Sequence, residues 1–205
     1  MSAIPTPPLR LQCWDGLQAD LPDLWAQAAI ENGQLRLGFS LIWQPAGWSL
    51  QLPIRQGGES TLPQRRDGLW QHTCFEAFIA AAGAPAYWEF NLSPLGDWNV
   101  YRFDGYRAGQ CTESAYGQLP LRVIGPRAAP PRGDCRLSAP GALLELELSC
   151  ALPPMLDNTL RAGAALELGL TAVLETRGGE LSYWALQHPG AEPDFHDRRG
   201  WLLRL

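Results

Sequence analysis

Apolar and polar residues alternate along many short stretches of the chain, which is the pattern of β-strands with one buried face. The clearest stretch places an apolar side chain at every second position, at Leu35, Leu37, Phe39, Leu41 and Trp43. Further strands are predicted where the alternation recurs between turn residues, at 48–52, 72–79, 87–92, 98–103, 119–124, 144–149, 166–174, 181–186 and 200–205. This spacing predicts an all-β fold, an antiparallel β-sandwich of immunoglobulin-like or jelly-roll type, with an up-and-down barrel as the alternative.

Two segments depart from this alternation and are predicted to be short helices. Residues 21–30 look helical, and the segment that begins at Pro153-Pro154 is expected to form a helical turn or two. Residues 48–52 are expected to pair with the preceding strand as a hairpin through Pro45-Ala46-Gly47. No internal repeat and no shift in composition marks a second domain, so a single domain is expected over residues 1–205.

The composition is that of a folded globular protein, because hydrophobic residues make up 46% and charged residues 18% of the 205 residues. The net charge is -5, and basic residues cluster only as the pairs Arg65-Arg66 and Arg198-Arg199, which disfavours nucleic acid as a partner. The sequence contains no stretch of about 18 apolar residues, so no membrane-spanning helix is predicted. Residues 1–5 lack a basic segment followed by an apolar run, so a cytoplasmic location is expected.

The five cysteines, Cys13, Cys74, Cys111, Cys135 and Cys150, do not suggest a disulfide framework or a zinc ribbon. Their number is odd and no Cys-x-x-Cys pair occurs. Reduced and mostly buried thiols are the simplest interpretation.

Polar side chains that suit ligand binding recur on two neighbouring predicted strands. If Phe75 and Trp88 face inward, then Glu76 and Glu89 face the opposite side of the sheet. On the same reasoning His72, Tyr87 and Asn91 join them, and carboxylates, amides, imidazole and phenol together suit a hydroxyl-rich ligand. An ordinary solvated sheet face is the alternative interpretation.

Nine Trp residues are many for this length, and most are expected to lie in the core. Trp70 and Trp98 each stand at a junction between a loop and a strand, where an aromatic ring can stack on a sugar. The candidate ligand-binding residues are therefore Trp70, His72, Glu76, Tyr87, Glu89, Asn91, Trp98, Arg102 and Trp184.

A second group of polar residues lies near the end of the chain. Among them, His188, Asp194 and His196 are candidate metal ligands, with His72 as a further nitrogen, although their spacing matches no standard zinc signature. Asp194 and His196 in turn or capping roles are the alternative. No nucleophile elbow, phosphate-binding glycine loop or dinucleotide fingerprint occurs, which weighs against an enzyme and leaves any cofactor unknown.

Several blocks of the sequence carry a resemblance to a known family. They are LWQHTCFEAF at 69–78, YWEFNLSP at 87–94, GDWNVYRFDGYR at 96–107, YWALQHP at 183–189 and PDFH at 193–196. Together they resemble the DOMON-like domain proteins of bacteria, a group similar to DOMON domains and to family 9 carbohydrate-binding modules. The resemblance covers most of the chain and implies an immunoglobulin-like β-sandwich that binds a sugar or haem.

The resemblance leaves the ligand class open. Haem-binding DOMON domains typically hold iron with Met and His, and the only methionines here are Met1 and Met155, so haem would need a pair of His ligands. In the carbohydrate-binding modules, Trp rings sandwich a sugar whose hydroxyl groups are held by polar side chains. The leading hypothesis is thus a non-catalytic module for a small carbohydrate-type ligand.

Three other functions remain open from the sequence. One is a haem- or metal-binding redox module, and another is a glycoside hydrolase-like enzyme that uses Glu76 and Glu89 as an acid–base pair. The last is a purely structural or protein-interaction role, which an exposed aromatic patch without a pocket would favour.

Overall fold

A computed structural model of the chain describes residues 6–15, 21–55, 60–129 and 141–205. Cys135 lies outside them. The strands are β1 (Leu9–Arg10), β2 (Gln12–Cys13), β3 (Asp23–Glu31), β4 (Gln34–Trp43), β5 (Cys74–Ala81), β6 (Tyr87–Leu92), β7 (Trp98–Phe103), β8 (Cys111–Thr112), β9 (Leu121–Ala128), β10 (Ala142–Ala151), β11 (Leu166–Glu175), β12 (Leu181–Ala185) and β13 (Leu203–Arg204). A helix, α1 (Pro154–Arg161), joins β10 to β11, and 3-10 turns occur at Leu69–Gln71 and Arg198–Gly200.

The strands form two antiparallel sheets. Sheet A has the order β1-β3-β4-β10-β9. Sheet B has the order β2-β12-β11-β5-β6-β7-β8, with β13 also paired to β11. The predicted antiparallel β-sandwich is therefore confirmed.

The two sheets pack face to face around one apolar core. The alternating residues of β4 supply one side of it, and Phe39 meets Phe75 of β5 with ring centroids 5.4 Å apart. Phe90 of β6 and Leu170 of β11 lie in the same core and are fully buried. The period of two in the sequence thus places the inner face of each sheet, because successive side chains of a strand point to opposite faces.

The outer face of sheet B is buried as well, which the sequence did not predict. Every residue of β6 is buried, and Phe78, Tyr87, Phe103 and Trp201 form a second, smaller apolar cluster on this face. The segment 186–201 folds over it, and the indole nitrogen of Trp201 donates a hydrogen bond to the carbonyl oxygen of Phe195 at 2.8 Å. This covering turns a sheet face that was expected to be open into the wall of a partly enclosed site.

Two predictions from the first part of the chain are wrong. Residues 21–30 are not helical but form most of β3, which pairs along its length with β4. The turn between them is Asn32-Gly33, whose positive φ values of 51° and 74° suit the tight hairpin turn that Asn-Gly favours. Pairing across this turn outweighs the helical character of an Ala-rich segment. Residues 48–52 form no hairpin, since Leu50 makes a single bridge to Thr176 instead.

The short helix expected after Pro153 is confirmed as α1. It is the one α-helix in the described ranges, and Pro154 stands at its start, where a missing N–H costs nothing. Within those ranges no helix has the length and apolar character needed to cross a membrane.

Gly169 of β11 allows Trp201 to lie flat on sheet B, and replacing it tests this packing. A Cβ at this position would lie 2.5 Å from Cδ1 of Trp201, whereas a Cβ at Gly117 would meet nothing within 4 Å. We expect Gly169→Ala to lower the free energy of unfolding by about 1–3 kcal/mol relative to Gly117→Ala, because overpacking forces the ring to move. Urea unfolding of both variants measures the difference, and equal midpoints would contradict the packing described.

Candidate functional site

A pocket of about 360 Å³ opens on the outer face of sheet B, and we call it the glutamate pocket. Its volume is within the range of sites for small organic ligands. Glu76 and Glu89 line it from the sheet, and Arg107 and His196 line it from the covering segments. Its aromatic walls are made by Trp70, Phe78, Phe103, Tyr183 and Phe195.

Strand register brings the two glutamates together. In the antiparallel pair of β5 and β6, Glu76 lies opposite Asn91 and Phe78 lies opposite Glu89. The two carboxyl-bearing residues are thus diagonal neighbours on one face, close enough for long side chains to interact. The shared face predicted from the alternation is confirmed, although both side chains are nearly inaccessible, with 2% and 5% exposure.

Glu76 is the more deeply buried of the two. Its Oε2 accepts a long hydrogen bond of 3.4 Å from the hydroxyl of Thr171, and its Oε1 is buried with no hydrogen-bond partner among the described residues. Burial raises the pKa of Glu76 well above its usual range, and the neighbouring charge of Glu89 raises it further. The environment of Glu76 thus favours its protonated form, which can donate as well as accept hydrogen bonds.

Glu89 is held by its neighbour on the same strand. Its Oε1 accepts a hydrogen bond of 2.6 Å from the amide nitrogen of Asn91. Burial raises the pKa of Glu89 to about 7, while the Asn91 hydrogen bond and the charge of Arg107 act in the opposite direction. Glu89 thus changes charge near neutral pH, which is a property of functional sites more often than of structural ones.

A chain of hydrogen bonds fixes the orientation of His196. The backbone N–H of Arg107 donates to the hydroxyl of Tyr87 at 3.2 Å, and the same hydroxyl is hydrogen-bonded to Nδ1 of His196 at 2.7 Å. Burial lowers the pKa of His196 to about 4, with the charge of Arg107 as a further cause. The ring is therefore neutral at neutral pH, and its Nε2 lies 4.0 Å from Oε2 of Glu89.

Arg107 lines the pocket and forms an ion pair with Asp194. Its guanidinium donates to Asp194 at 2.8 Å, and the hydroxyl of Tyr106 donates to the other oxygen of the same carboxylate. Its backbone is in the left-handed region, with φ of 50°, a strained conformation for a residue other than glycine. That conformation places the N–H of Arg107 on Tyr87 and its side chain on Asp194.

Five of the nine predicted ligand-binding residues belong to this site. Trp70, Glu76 and Glu89 line the pocket, with the ring of Trp70 half exposed at 50%. Asn91 and Tyr87 are buried beside it and position Glu89 and His196.

Trp98 and Trp184 are core residues and not ligand platforms. Trp98 lies opposite Leu92 in the register, so it points to the inner face of sheet B and is 2% exposed. Trp184 lies opposite Ala172 and joins the same inner core. The alternation of side chains along a strand, which puts Glu76 and Glu89 on the outer face, puts both Trp residues on the inner face.

Arg102 and His72 also lie away from the pocket. Arg102 is opposite Trp88 on the inner face, and its guanidinium donates to Asp104 at 2.7 Å. His72 precedes β5, is largely exposed, and places Nδ1 2.9 Å from Oε2 of Glu175.

The candidate metal ligands do not come together. His188 lies 2.9 Å from the carbonyl oxygen of Gln12, whereas Asp194 is held by Arg107 and accepts the backbone N–H of His196. In the described part of the chain, no group of three His, Cys, Asp or Glu side chains is arranged to hold a metal ion.

Several pocket residues escaped the sequence analysis. Phe103 lies opposite Tyr87 in the β6–β7 register, so strand parity contained the signal for it. Phe195 stands inside the block at 193–196, next to the His196 that was singled out. Tyr183 precedes the inward-facing Trp184 on β12, so strand parity contained the signal for it as well. Arg107 follows β7 and reaches the pocket through the fold of a loop, for which the periodicity of the sequence carries no signal.

A second depression, of about 440 Å³, lies on sheet A. Its charged residues are paired with each other, as Arg122 with Glu147 at 3.1 Å and Arg36 with Glu31 at 3.7 Å. Exposed ion pairs of this kind are well solvated and leave little unsatisfied hydrogen-bonding capacity. The glutamate pocket, with buried carboxyl groups and shifted pKa values, is the stronger candidate.

Comparison with known proteins supports the fold. No family model matches the chain, and no curated protein matches it at a significant level. A crystal structure at 2.70 Å resolution shows a similar fold in a Bacteroides uniformis ATCC 8492 protein to which carbohydrate binding is provisionally ascribed. The TM-score is 0.62 at 13% sequence identity, over 95% of this chain and 82% of that chain. The chain thus has the β-sandwich fold of that protein.

Proposed function

We propose that the chain is a non-catalytic module that binds a sugar in the glutamate pocket. The observation that carries the proposal is the carboxyl group of Glu76, which belongs to the pocket lining and whose buried Oε1 has no hydrogen-bond partner among the described residues. Leaving such an atom unpaired costs about 1–3 kcal/mol, which a hydroxyl group of a ligand would recover.

The rest of the pocket suits the same ligand class. A sugar ring presents hydroxyl groups at its edges and C–H groups on its faces. Glu76 and Glu89 can hold the hydroxyl groups, and Trp70 at the rim offers a half-exposed ring for the apolar face. The carbohydrate binding ascribed to the Bacteroides uniformis protein of similar fold supports the same direction.

Hydrolysis of a glycosidic bond is the second candidate function. It is favoured by one observation, the unequal environments of the two carboxyl groups: burial and the charge of Glu89 raise the pKa of Glu76 well above its usual range, whereas burial raises the pKa of Glu89 to about 7. Pairs of carboxyls separated in this way serve as acid and base in glycosidases. Neither carboxylate is closed off by an arginine at ion-pair distance in the described part of the chain.

Sugar binding is tested by replacing Glu76 with a residue of similar size and no polar atoms. Titrating neutral, amino and acidic monosaccharides while following Trp fluorescence should give saturable binding for at least one class. We expect Glu76→Leu to weaken that binding at least about tenfold, through the loss of about 1.4 kcal/mol or more of hydrogen bonding. Trp70→Ala should weaken it too and reduce the fluorescence change.

The control is Glu180→Leu, the same chemical change on the exposed turn before β12. It should bind as the unmodified chain does. The proposal fails if no sugar binds at millimolar concentration, or if Glu76→Leu folds and binds unchanged.

The buried carboxyl group of Glu89 lowers the free energy of unfolding of the chain by an amount that depends on pH. The pKa of Glu89 is higher in the folded chain, so the folded state keeps a proton that the unfolded chain has lost, and stability falls as pH rises from about 4.5 through about 7. The variant Glu89→Gln has no carboxyl group at this position and should not lose stability in this way. In urea unfolding from pH 5 to pH 8, its free energy of unfolding should rise relative to that of the unmodified chain, by about 1–3 kcal/mol at pH 8.

The difference between the two proteins cancels the contribution of His196, whose lowered pKa acts in the opposite direction between pH 4 and 6.5. A stability difference that stays constant across this pH range would show that Glu89 titrates at its ordinary pKa. Glu180→Gln, on the exposed turn, should show no such dependence.

The hydrolase alternative makes its own prediction with aryl glycosides as probes. If the chain is non-catalytic, release of the aryl group should be no faster than with Glu76→Gln or Glu89→Gln. A rate that falls at least about a hundredfold in either variant would replace the binding function with catalysis.

A further inference from the structure

The two carboxyl groups of the glutamate pocket have no cationic side chain close to them among the described residues. Among the described residues, the only basic side chain within 4.0 Å of either carboxyl group is His196, at 4.0 Å from Glu89, and burial keeps that ring neutral. Arg107 lines the pocket, but its guanidinium is paired with Asp194 at 2.8 Å. Two buried carboxyl groups thus share a cavity in which no cation is bound closely to either of them.

We propose that the ligand of the glutamate pocket carries a primary ammonium group, which makes an amino sugar the preferred class of sugar. The inference rests on the proposed sugar-binding function and names the chemistry that distinguishes its ligand. An ammonium has three N–H donors, and both carboxyl groups of the pocket can accept them. Such charge-assisted hydrogen bonds are about twice as strong as neutral ones.

The aromatic walls fit the same ligand. Phe78, Phe103, Tyr183 and Phe195 line the cavity around the carboxyl groups, with Trp70 at the rim. The faces of aromatic rings attract cations, and aromatic cages recognise ammonium groups in this way. A pocket that combines rings with carboxyl groups therefore stabilises a cation by two independent contributions.

An acidic sugar is the competing ligand, because Arg107 could pair with its carboxylate. The geometry disfavours an acidic sugar, because Arg107 is already ion-paired with Asp194. The ring of Tyr106 also lies beside the guanidinium, with 5.9 Å between the guanidinium carbon and the ring centroid. A ligand carboxylate would also enter beside Glu89, and once Glu89 is ionised, like charges in a buried site repel strongly.

Binding of an ammonium is expected to be coupled to the loss of a proton. The titratable groups that face or influence Glu89 from the packed elements are Cys74, Glu76, Tyr87, Tyr101, Arg107 and His196. Burial raises the pKa of the thiol and of both phenols, so these groups stay neutral between pH 5 and pH 7. Glu89 is the group whose charge changes most in this interval.

The test compares glucosamine, glucose, N-acetylglucosamine and glucuronate by calorimetric titration at pH 5, 6 and 7. Glucosamine should bind at least about tenfold more tightly than glucose at pH 7, and its affinity should rise at least about tenfold from pH 5 to pH 7 as Glu89 ionises. Titrations in two buffers of different ionisation enthalpy should show that the chain releases up to one proton at pH 6.

The variant Glu89→Gln removes the charge and keeps the shape. It should lose the preference for glucosamine over glucose and the pH dependence of that preference, while Glu180→Gln keeps both. Thermal unfolding of each variant establishes that it is folded.

The outcomes separate this inference from the function on which it rests. Equal or tighter binding of glucose, N-acetylglucosamine or glucuronate overturns the ammonium preference and leaves sugar binding intact. Absence of binding by all four sugars overturns both. A preference for glucosamine that persists in Glu89→Gln also overturns the inference, because the charge would then come from elsewhere.

Discussion

The properties of the site depend on the burial of two carboxyl groups on a sheet that is covered on both faces. Glu76 and Glu89 are among the least exposed polar residues of the described chain, and Glu76 has an oxygen without a hydrogen-bond partner there. Groups of this kind reduce stability unless something compensates for them. The proposed ligand would supply this compensation, because both groups lie beside the cavity.

The covering of sheet B creates this situation. Trp201 lies on Gly169 because that residue has no side chain, and it closes the segment 186–201 over the outer face. The same segment brings His196 to Tyr87, whose hydroxyl is hydrogen-bonded to the imidazole. The apolar cluster and the polar pocket are thus parts of one arrangement, in which packing lowers the polarity around the carboxyl groups and shifts their pKa values.

The alternation of apolar and polar residues predicted most of the strands and part of the site. It placed Glu76 and Glu89 on one face, because a period of two leaves only one choice once Phe75 and Trp88 point inward. The same parity argued against Trp98, which was chosen for its position at a junction instead. Segments that cover the sheet obey no period, so contacts such as that of Arg107 with Tyr87 appear only in the folded chain.

The most direct measurement of the central claim is an NMR titration of the side-chain carboxyl carbons in the ligand-free chain. We predict that the signal of Glu89 titrates with a midpoint near pH 7 and that the midpoint of Glu76 also lies well above its ordinary value, because burial raises both pKa values. Midpoints near the ordinary pKa of about 4.3 for both residues would contradict the account. The two carboxyl groups would then be solvated, and no ligand would be needed to complete the site.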